Sequence, residues 1–224
     1  MSQLEQLNPQ DHDHLRLRPR SAPEPHFVQV VPGEYAAAAA CCPILFSKDA
    51  TSGAFYAGAM LGLKPGEPVL KSVAERGGFE PFDLQRDGFY VSGEHIVIDR
   101  NNPRFSESEG EPLFDEARQP GIALRRIQRV LRQLHEGAAQ SETYIRTLLG
   151  LKLIEPIDIS LSFDDGEKLT LQGLYTVSRN ALRELDDADV LRLFRSGHLQ
   201  LALTMAGSLG QLAILAQLRN RRSN

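Results

Sequence analysis

The sequence contains no tryptophan, two cysteines and 7% aromatic residues among its 224 positions. Cys41 and Cys42 are adjacent, so they can pair only in a strained ring and cannot by themselves form a tetrahedral metal site. We interpret both as small buried hydrophobes. Hydrophobic residues make up 42% of the chain and charged residues 24%, close to the globular average. This composition excludes wholesale disorder, collagen-like repeats and a disulfide scaffold.

The chain also lacks an excess of positive charge, with a formal net charge of -4. Binding to a nucleic-acid backbone depends mostly on neutralising phosphates with lysine and arginine, so no nucleic-acid partner is expected. A secretory signal has basic residues followed by an apolar stretch, and the first residues of this chain do not show that pattern. We therefore expect a cytoplasmic protein.

One segment, 197–218, carries no formal charge and is followed by Arg219, Arg221 and Arg222. Its length and basic flank are those of a transmembrane helix. Polar residues are spread along it, however, including His198 and Gln211, and each opposes transfer into lipid. We expect a core helix wrapped by the rest of the domain and no membrane span.

The pattern along the chain predicts three regions. Residues 1–26 combine several prolines with charged residues and are expected to form a flexible tail. Residues 27–219 are expected to form a single α+β domain, and residues 220–224 a basic C-terminal end.

The predicted elements of this domain are short strands and hairpins first, and then amphipathic helices, a central hairpin and a long apolar C-terminal helix. One of the early hairpins is predicted over 89–91 and 95–98, around Ser92-Gly93-Glu94. The second half of the chain is predicted to begin with two helices. One is an amphipathic helix around Ile127–Leu134, and the other is capped by Ser141 and ends near Gly150. The central hairpin is predicted over 157–163 and 169–176, because its residues alternate strictly around Asp164-Asp165-Gly166.

Motifs for common cofactor and metal chemistry are missing. No histidine has an acidic residue two positions later, and a calcium loop counted from Asp99 has Arg104 and Gly110 where glycine and glutamate are required. Gly-rich phosphate loops are absent. The serine in Ala206-Gly207-Ser208-Leu209-Gly210 lies inside a helical pattern, so we interpret it as a close-packing residue and not as a nucleophile. No metal and no cofactor are expected.

Several short sequence motifs of this chain occur together in one protein family. They are Pro43-Ile44-Leu45-Phe46, Gly62-Leu63-Lys64-Pro65-Gly66-Glu67, Arg86-Asp87-Gly88-Phe89, Ile98-Asp99, Gly110-Glu111-Pro112-Leu113-Phe114-Asp115, Leu153-Ile154-Glu155-Pro156-Ile157, Gly173-Leu174-Tyr175-Thr176-Val177, Ser196-Gly197-His198-Leu199 and Ser208-Leu209-Gly210-Gln211. On these residues the chain resembles the SapC family of bacterial proteins from about Phe27 to the C-terminal Arg-Asn-Arg-Arg. It departs from the family at Cys41-Cys42, where a tyrosine is common, and at Pro68-Val69-Leu70.

The resemblance implies neither a reaction nor catalytic residues. The family name implies an association with surface-layer (S-layer) proteins. Family genes often lie near those for tryptophan halogenases, cupin-like hydroxylases and TonB-dependent receptors, which implies an accessory role in the uptake or modification of a substrate.

The leading functional hypothesis is a non-enzymatic binding protein that holds a peptide or a protein partner. Its candidate site is an irregular, aromatic-rich segment, since aromatics and arginine anchor interfaces. The candidate partner-binding residues are Phe79, Phe82, Arg86, Phe89 and Tyr90. An alternative for the same residues is that they plug the end of the core.

Two other functional classes stay open. One is an enzyme of unassigned class that uses the carboxylates Asp99 and Glu111, which also lie in family-like segments. Paired carboxylates can divide acid and base roles when their environments separate their pKa values. The other is a structural S-layer component.

Overall fold

The structure is a computed structural model that describes residues 4–21 and 23–223. The strands in chain order are β1 (Leu4–Gln6), β2 (Arg16–Leu17), β3 (Phe27–Gln29), β4 (Ile44–Lys48), β5 (Phe55–Met60), β6 (Gly62–Lys64), β7 (Glu67–Pro68), β8 (Phe89–Ser92), β9 (His95–Asp99), β10 (Phe105–Ser106), β11 (Glu111–Pro112), β12 (Ile154–Ser162) and β13 (Lys168–Val177). The helices are α1 (Pro9–His12), α2 (Tyr35–Ala39), α3 (Phe82–Gln85), α4 (Ile122–Gly150), α5 (Arg179–Arg183), α6 (Asp187–Arg195), α7 (His198–Ser208) and α8 (Gln211–Ser223). The predicted α+β class is confirmed.

The chain divides into two compact units, whereas the sequence predicts a single domain over 27–219. Unit 1 combines Met1–Pro23 with Phe82–Glu136, and unit 2 combines Glu24–Pro81 with Gly137–Asn224. Each unit is assembled from two separated stretches of chain. Local periodicity reports only on neighbours in sequence, so it cannot reveal this division.

Unit 1 contains two small antiparallel sheets, with strand orders β1-β9-β8 and β10-β2-β11. The predicted hairpin is confirmed as β8 and β9, which pair from Phe89↔Ile98 to Ser92↔His95. Apolar side chains from both sheets and from the first half of α4 form one core. Its buried members are Leu15, Leu17, Phe89, Ile98, Phe105, Leu113, Phe114, Ala123, Leu124, Ile127 and Leu131.

Over the described residues 4–21 and 23–26, the structure differs from the flexible tail predicted for residues 1–26; residues 1–3 and 22 lie outside the described residues. This stretch contains β1, α1 and β2, and β2 lies between β10 and β11 in its sheet. Leu15 and Leu17 are buried in the core of unit 1. Two leucines in a polar segment are too weak a pattern to predict a strand. In the structure, their burial and the pairing of β2 hold the segment against the core of unit 1.

Unit 2 contains a five-stranded antiparallel sheet with strand order β12-β13-β4-β5-β3. The predicted central hairpin is confirmed as β12 and β13, with a register shift between Ile157 and Ile159. At the β3 edge of the sheet, Gly58 on β5 pairs with Gln29, and a Cβ on Gly58 would lie 2.2 Å from the ring of Phe27 on β3. The glycine therefore leaves space for the Phe27 ring, which would have to move if residue 58 carried a side chain.

Helix α4 is continuous over 29 residues, whereas the sequence predicts two helices separated before Ser141. No proline interrupts this stretch, and Gly137 does not break the helix. A Cβ on Gly137 would lie 2.5 Å from the Cβ of Val31, so the glycine allows close packing against that residue. Ser141 consequently lies inside the helix and does not cap it.

The C-terminal segment His198–Arg221 has 24 residues and is long and apolar enough to cross a membrane, but 28% of its most apolar window is buried in the protein. The expected wrapping is therefore incomplete. Ala202, Met205 and Leu215 are buried, whereas Leu203 is 56% exposed and Ile214 is 46% exposed. A core helix and a membrane helix share this length and composition, so the absence of a membrane span stays a prediction.

Ser208 lies at the buried side of this segment and ties it to the sheet. Its hydroxyl accepts a hydrogen bond from the Ile44 amide at 2.8 Å and donates one to the Met205 carbonyl at 2.6 Å. Both lie within unit 2. This structural role agrees with the interpretation of Ser208 as a packing residue.

Candidate functional site

Strand β8 forms one edge of the sheet β1-β9-β8 in unit 1, and no strand of the described residues pairs with its outer side. The hairpin forms because Gly93 has a φ of 60° at the first of two turn residues, which a type II′ turn requires. Phe89 points inward and is fully buried, whereas Tyr90 is 40% and Val91 53% exposed. We call Arg86, Tyr90 and Val91 together the β8 edge.

The register shows which backbone groups of β8 face outward. The Asp99 amide donates to the Gly88 carbonyl at 3.0 Å, so the alternate pair Tyr90↔Val97 also exchanges hydrogen bonds within the hairpin. The pair Val91↔Ile96 does not, and the Ile96 carbonyl accepts instead from the Leu7 amide at 2.9 Å. The amide and carbonyl of Val91 therefore point toward the open side of the sheet.

Arg86 closes the other end of this edge. Its carbonyl accepts from the Phe89 amide at 2.7 Å, and its Nη1 donates to the Phe89 carbonyl at 3.4 Å. Its guanidinium also donates twice to Asp83 Oδ1, from Nε at 2.9 Å and from Nη2 at 2.5 Å. The outward groups of Phe89 are thus occupied, and Val91 is the residue of β8 whose outward groups remain accessible.

The side chains of Arg86 and Tyr90 form a partly exposed pair. The Arg86 Cζ lies 5.4 Å from the centroid of the Tyr90 ring, which is a cation–π distance. Because Asp83 and the ring both hold the guanidinium, the pair is preorganised and little side-chain entropy is lost when a partner contacts it.

Arg104 supports the loop that carries Arg86. It is largely buried, and its Nη1 donates to the carbonyls of Gln85 and Asp87, each at 2.8 Å. Those two residues flank Arg86 in sequence. A buried guanidinium that satisfies both carbonyls holds the turn between α3 and β8 in one conformation.

The structure separates the five predicted partner-binding residues. Arg86 and Tyr90 meet at the β8 edge. Phe89 is a core residue in edge-to-face contact with Phe105, with ring centroids 5.1 Å apart, so the interpretation as a core plug applies to this residue. Phe82 begins α3 and is partly buried. Phe79 belongs to unit 2, where it is 8% exposed.

The two carboxylates named for an enzymatic alternative lie in different sheets. Asp99 ends β9, where its Oδ1 accepts from the Asn101 amide at 3.2 Å. Glu111 begins β11 and is exposed, with its Oε2 3.7 Å from Nη2 of Arg126. Each carboxylate has a local structural contact, and no strand pair brings the two together.

Sequence reasoning missed Val91 and Arg104 as parts of this site. Val91 reads as an ordinary strand residue, and its role depends on which strand lies at the sheet edge. Arg104 lies in a polar connection that has no periodic pattern, so its contact with Gln85 and Asp87 could not be predicted. In the part of the chain that the structure describes, no group of three or more His, Cys, Asp or Glu side chains is placed to hold a metal ion.

Comparisons with known proteins place the chain in a family. No curated protein and no solved structure matches it. The family model for SapC matches residues 7–215, which is most of the chain and includes segments of both units. The protein therefore belongs to the SapC family.

Proposed function

We propose that this protein is a non-enzymatic binding protein that holds a peptide, or an extended segment of a protein partner, as an added strand on β8. The observation that carries the proposal is the outward-facing amide and carbonyl of Val91 beside the partly exposed, preorganised Arg86–Tyr90 pair. An exposed strand edge is a template for pairing with another chain, which is one of the recurring modes of peptide recognition.

The backbone of Val91 supplies the register of the added strand. Its amide donates to, and its carbonyl accepts from, one residue of the peptide, which makes two hydrogen bonds. Each contributes about 1 kcal/mol net, so the backbone alone gives weak binding. Arg86 occupies the outward groups of Phe89, so the peptide must leave the edge at that point.

The side chains then supply most of the affinity and the specificity. The Tyr90 ring offers apolar area and a hydroxyl, and aromatic residues of this kind are enriched among interface hot spots. The Arg86 charge is already paired with Asp83, so the β8 edge does not select a strongly acidic partner. We therefore propose a partner segment with an aromatic or aliphatic side chain that packs on Tyr90.

The accessory role in this proposal is supported by the gene neighbourhoods that the family resemblance implies. We propose a cytoplasmic accessory role in the uptake or modification of a substrate. The partner segment then belongs to another protein of such a system, and binding is reversible because the edge is short.

A displayed library of random peptides, selected on the whole protein, provides the probe for a test. Val91→Pro removes the outward amide without removing a bond to β9, whereas the matched control Val91→Ala keeps the amide and shortens the side chain. Calorimetric titration of the selected peptides should show binding to the parent and to Val91→Ala, and its loss in Val91→Pro. Equal affinity for Val91→Pro, with folding of both variants confirmed by circular dichroism, would refute strand addition at β8.

A further inference from the structure

The first half of α4 carries arginines on its solvent side, opposite the face that packs in the core of unit 1. Arg125, Arg129 and Arg132 are exposed, and we call these three residues the α4 arginine row. Positions i, i+4 and i+7 share one face of an α-helix, so the row follows a stripe about 10 Å long. Arg126 lies beside it and is also exposed. In a chain with a formal net charge of -4, these arginines form a local excess of positive charge.

The row works against the stability of its own helix. Arg125 and Arg129 are four positions apart, and Arg129 and Arg132 are three apart, so their like charges repel. The first turn of α4 contains no acidic residue. The partial positive charge at a helix N-terminus favours an acidic residue there and disfavours the nearby Arg125. Departures from local rules of this kind are expected at functional sites. The arrangement is unfavourable for the helix alone and favourable for binding an anionic group.

Arg129 and Arg132 are the available members of the row. Neither makes an ion pair or a side-chain hydrogen bond within the described part of the chain, although Glu136 follows Arg132 by one turn. By contrast, Nη2 of Arg126 lies 3.7 Å from Oε2 of Glu111. The guanidinium groups of Arg129 and Arg132 can therefore each bind a carboxylate of a partner.

A cavity of about 500 Å³ in unit 1 lies at the N-terminal end of the row. Its wall combines the apolar side chains Pro112, Phe114 and Ile122 with the charged side chains Glu111, Asp115 and Arg125. Ile122 is 67% exposed, although it lies beside the buried core of unit 1. A large exposed apolar side chain in the wall of an apolar cavity marks a place where a partner can bury a side chain of its own.

The charges of the cavity wall determine which end of the surface takes an acidic group. Oδ1 of Asp115 accepts hydrogen bonds from the Ala117 and Gln119 amides at 3.0 and 2.8 Å, so this carboxylate is fixed locally. It lies in the cavity wall with Glu111 and repels further negative charge there. An apolar group is therefore favoured in the cavity, and acidic groups are favoured along the helix beyond Arg125.

We propose that this face of unit 1 binds an acidic segment of a protein partner. One apolar side chain of the segment enters the cavity beside Ile122, and neighbouring carboxylates of the segment pair with Arg129 and Arg132. The surface shares no residue with the β8 edge, so the proposal does not rest on strand addition. Because the arginines are exposed, their pairing with the segment is screened by salt.

A nucleic acid would also neutralise the arginine row, but it fits the surface less well. It has no apolar side chain for the cavity, and the carboxylates of Glu111 and Asp115 would repel its phosphates. Residues 122–136 contain no phenylalanine, tyrosine or tryptophan on which a base could stack. The combination of an apolar cavity with a cationic row therefore favours an acidic protein segment.

The test uses two fluorescein-labelled peptides with one leucine and four glutamates, in which the leucine either precedes or follows the glutamates. Fluorescence anisotropy with the whole protein should show saturable binding of at least one of them. Affinity for that peptide should fall about tenfold or more when its glutamates are replaced with glutamines, and also when salt is raised from about 0.05 M to about 0.5 M. Replacing its leucine with serine should also weaken binding.

Variants of the protein locate the binding site. Arg129→Gln with Arg132→Gln should lower the affinity about tenfold or more, since it removes both available guanidinium groups. The matched control, Arg179→Gln with Arg183→Gln, removes the same charge from exposed positions of α5 and should leave the affinity unchanged. Ile122→Ser should weaken binding of the leucine peptide and leave binding of the serine peptide unchanged.

Thermal unfolding distinguishes a binding role of the arginines from a structural one. Arg129→Gln with Arg132→Gln removes repulsion between like charges and keeps good helix formers, so its Tm should equal or exceed that of the parent. A Tm lower by several degrees would assign these arginines to the fold and overturn the proposal. Val91→Pro should bind the acidic peptide as the parent does, so failure of strand addition at β8 is distinguishable from failure here.

Four binding results would also overturn the proposal. They are no binding of either peptide, equal affinities of the two double variants, equal affinities for the leucine and serine peptides, and tighter binding of an oligothymidylate than of the peptide at the same salt concentration. The last result would assign the row to a nucleic acid.

Discussion

The guanidinium of Arg86 lies over the ring of Tyr90, with Cζ 5.4 Å from the ring centroid. The two residues are connected through the turn that leads from α3 into β8, and Asp83 holds the guanidinium from the other side. A charged and an aromatic side chain are thus fixed beside the accessible backbone of Val91. Of the five residues predicted to bind a partner, Arg86 and Tyr90 are the two that meet at the β8 edge.

Replacing Tyr90 with alanine should weaken peptide binding and leave folding nearly unchanged, since the ring lies at the surface. Loss of an interface anchor costs on the order of 2 kcal/mol, which corresponds to roughly 30-fold in Kd. Calorimetric titration measures the loss of affinity, and thermal unfolding measures stability. Arg86→Ala should also weaken binding, because it releases one side of the pair.

Phe89→Ala should have the opposite effect, because its ring fills the core of unit 1 against Phe105. Emptying a buried aromatic site costs about 3 to 5 kcal/mol of the free energy of unfolding. Denaturant unfolding distinguishes this variant from Tyr90→Ala. If Phe89→Ala left stability unchanged, its assignment to the core would be wrong.

Leu15→Ala should destabilise the protein by about 2 to 5 kcal/mol, because Leu15 is fully buried in the core of unit 1. The matched control is Leu4→Ala in the same N-terminal stretch, where the leucine is 58% exposed and its loss should change stability little. Denaturant unfolding of both variants measures the difference. Equal stability of the two variants would support the flexible tail that the sequence predicts.

Ser208→Ala should cost about 1 to 3 kcal/mol, since it leaves the buried Ile44 amide without its acceptor. Thr143→Ala is the control, because that hydroxyl is exposed and bonds only to a carbonyl of its own helix. Thermal unfolding should show a lower Tm for Ser208→Ala alone. A Ser208→Ala protein as stable as the control would show that the hydroxyl is not needed in unit 2.

The free energy of unfolding should fall as the pH is lowered below about 6.5. Burial lowers the pKa of His198 from its ordinary value of 6.5, and the ring lies edge-on to Tyr144 with centroids 5.5 Å apart. The unfolded chain therefore takes up a proton before the folded one does, and stability present above pH 6.5 is lost toward the lower folded-state pKa.

Denaturant unfolding at pH 7.5 and at several lower values measures this slope. His198→Gln should flatten it, and adding His26→Gln should flatten it further, because burial lowers the pKa of His26 as well. A slope that is unchanged in the double variant would assign the pH dependence to other groups.

The elements with strong local patterns could be predicted from the sequence. Strict alternation and a glycine turn identified the hairpin β12–β13, and β-branched and aromatic residues around Gly93 identified β8–β9. The division into two units could not be predicted, because it depends on contacts between distant stretches. The same limit applies to Leu15 and Leu17, which are isolated leucines in sequence and core residues in the structure.

Only part of the candidate site could be predicted, because the rest depends on contacts that sequence patterns do not report. Residue type alone makes Arg86 and Tyr90 candidate interface residues, but it does not separate them from Phe89, which strand alternation turns inward. Phe79 is close in sequence and belongs to the other unit. The accessible backbone of Val91 depends on the register of β8 with β9 and on the absence of a further strand among the described residues.

The most direct measurement is the amide spectrum of isotope-labelled protein during titration with a library-selected peptide. Strand addition on β8 should shift the Val91 amide most, together with its neighbours Tyr90 and Arg86, and should slow hydrogen exchange at Val91. A saturable titration that leaves the Val91 amide and its exchange unchanged would contradict binding at the β8 edge.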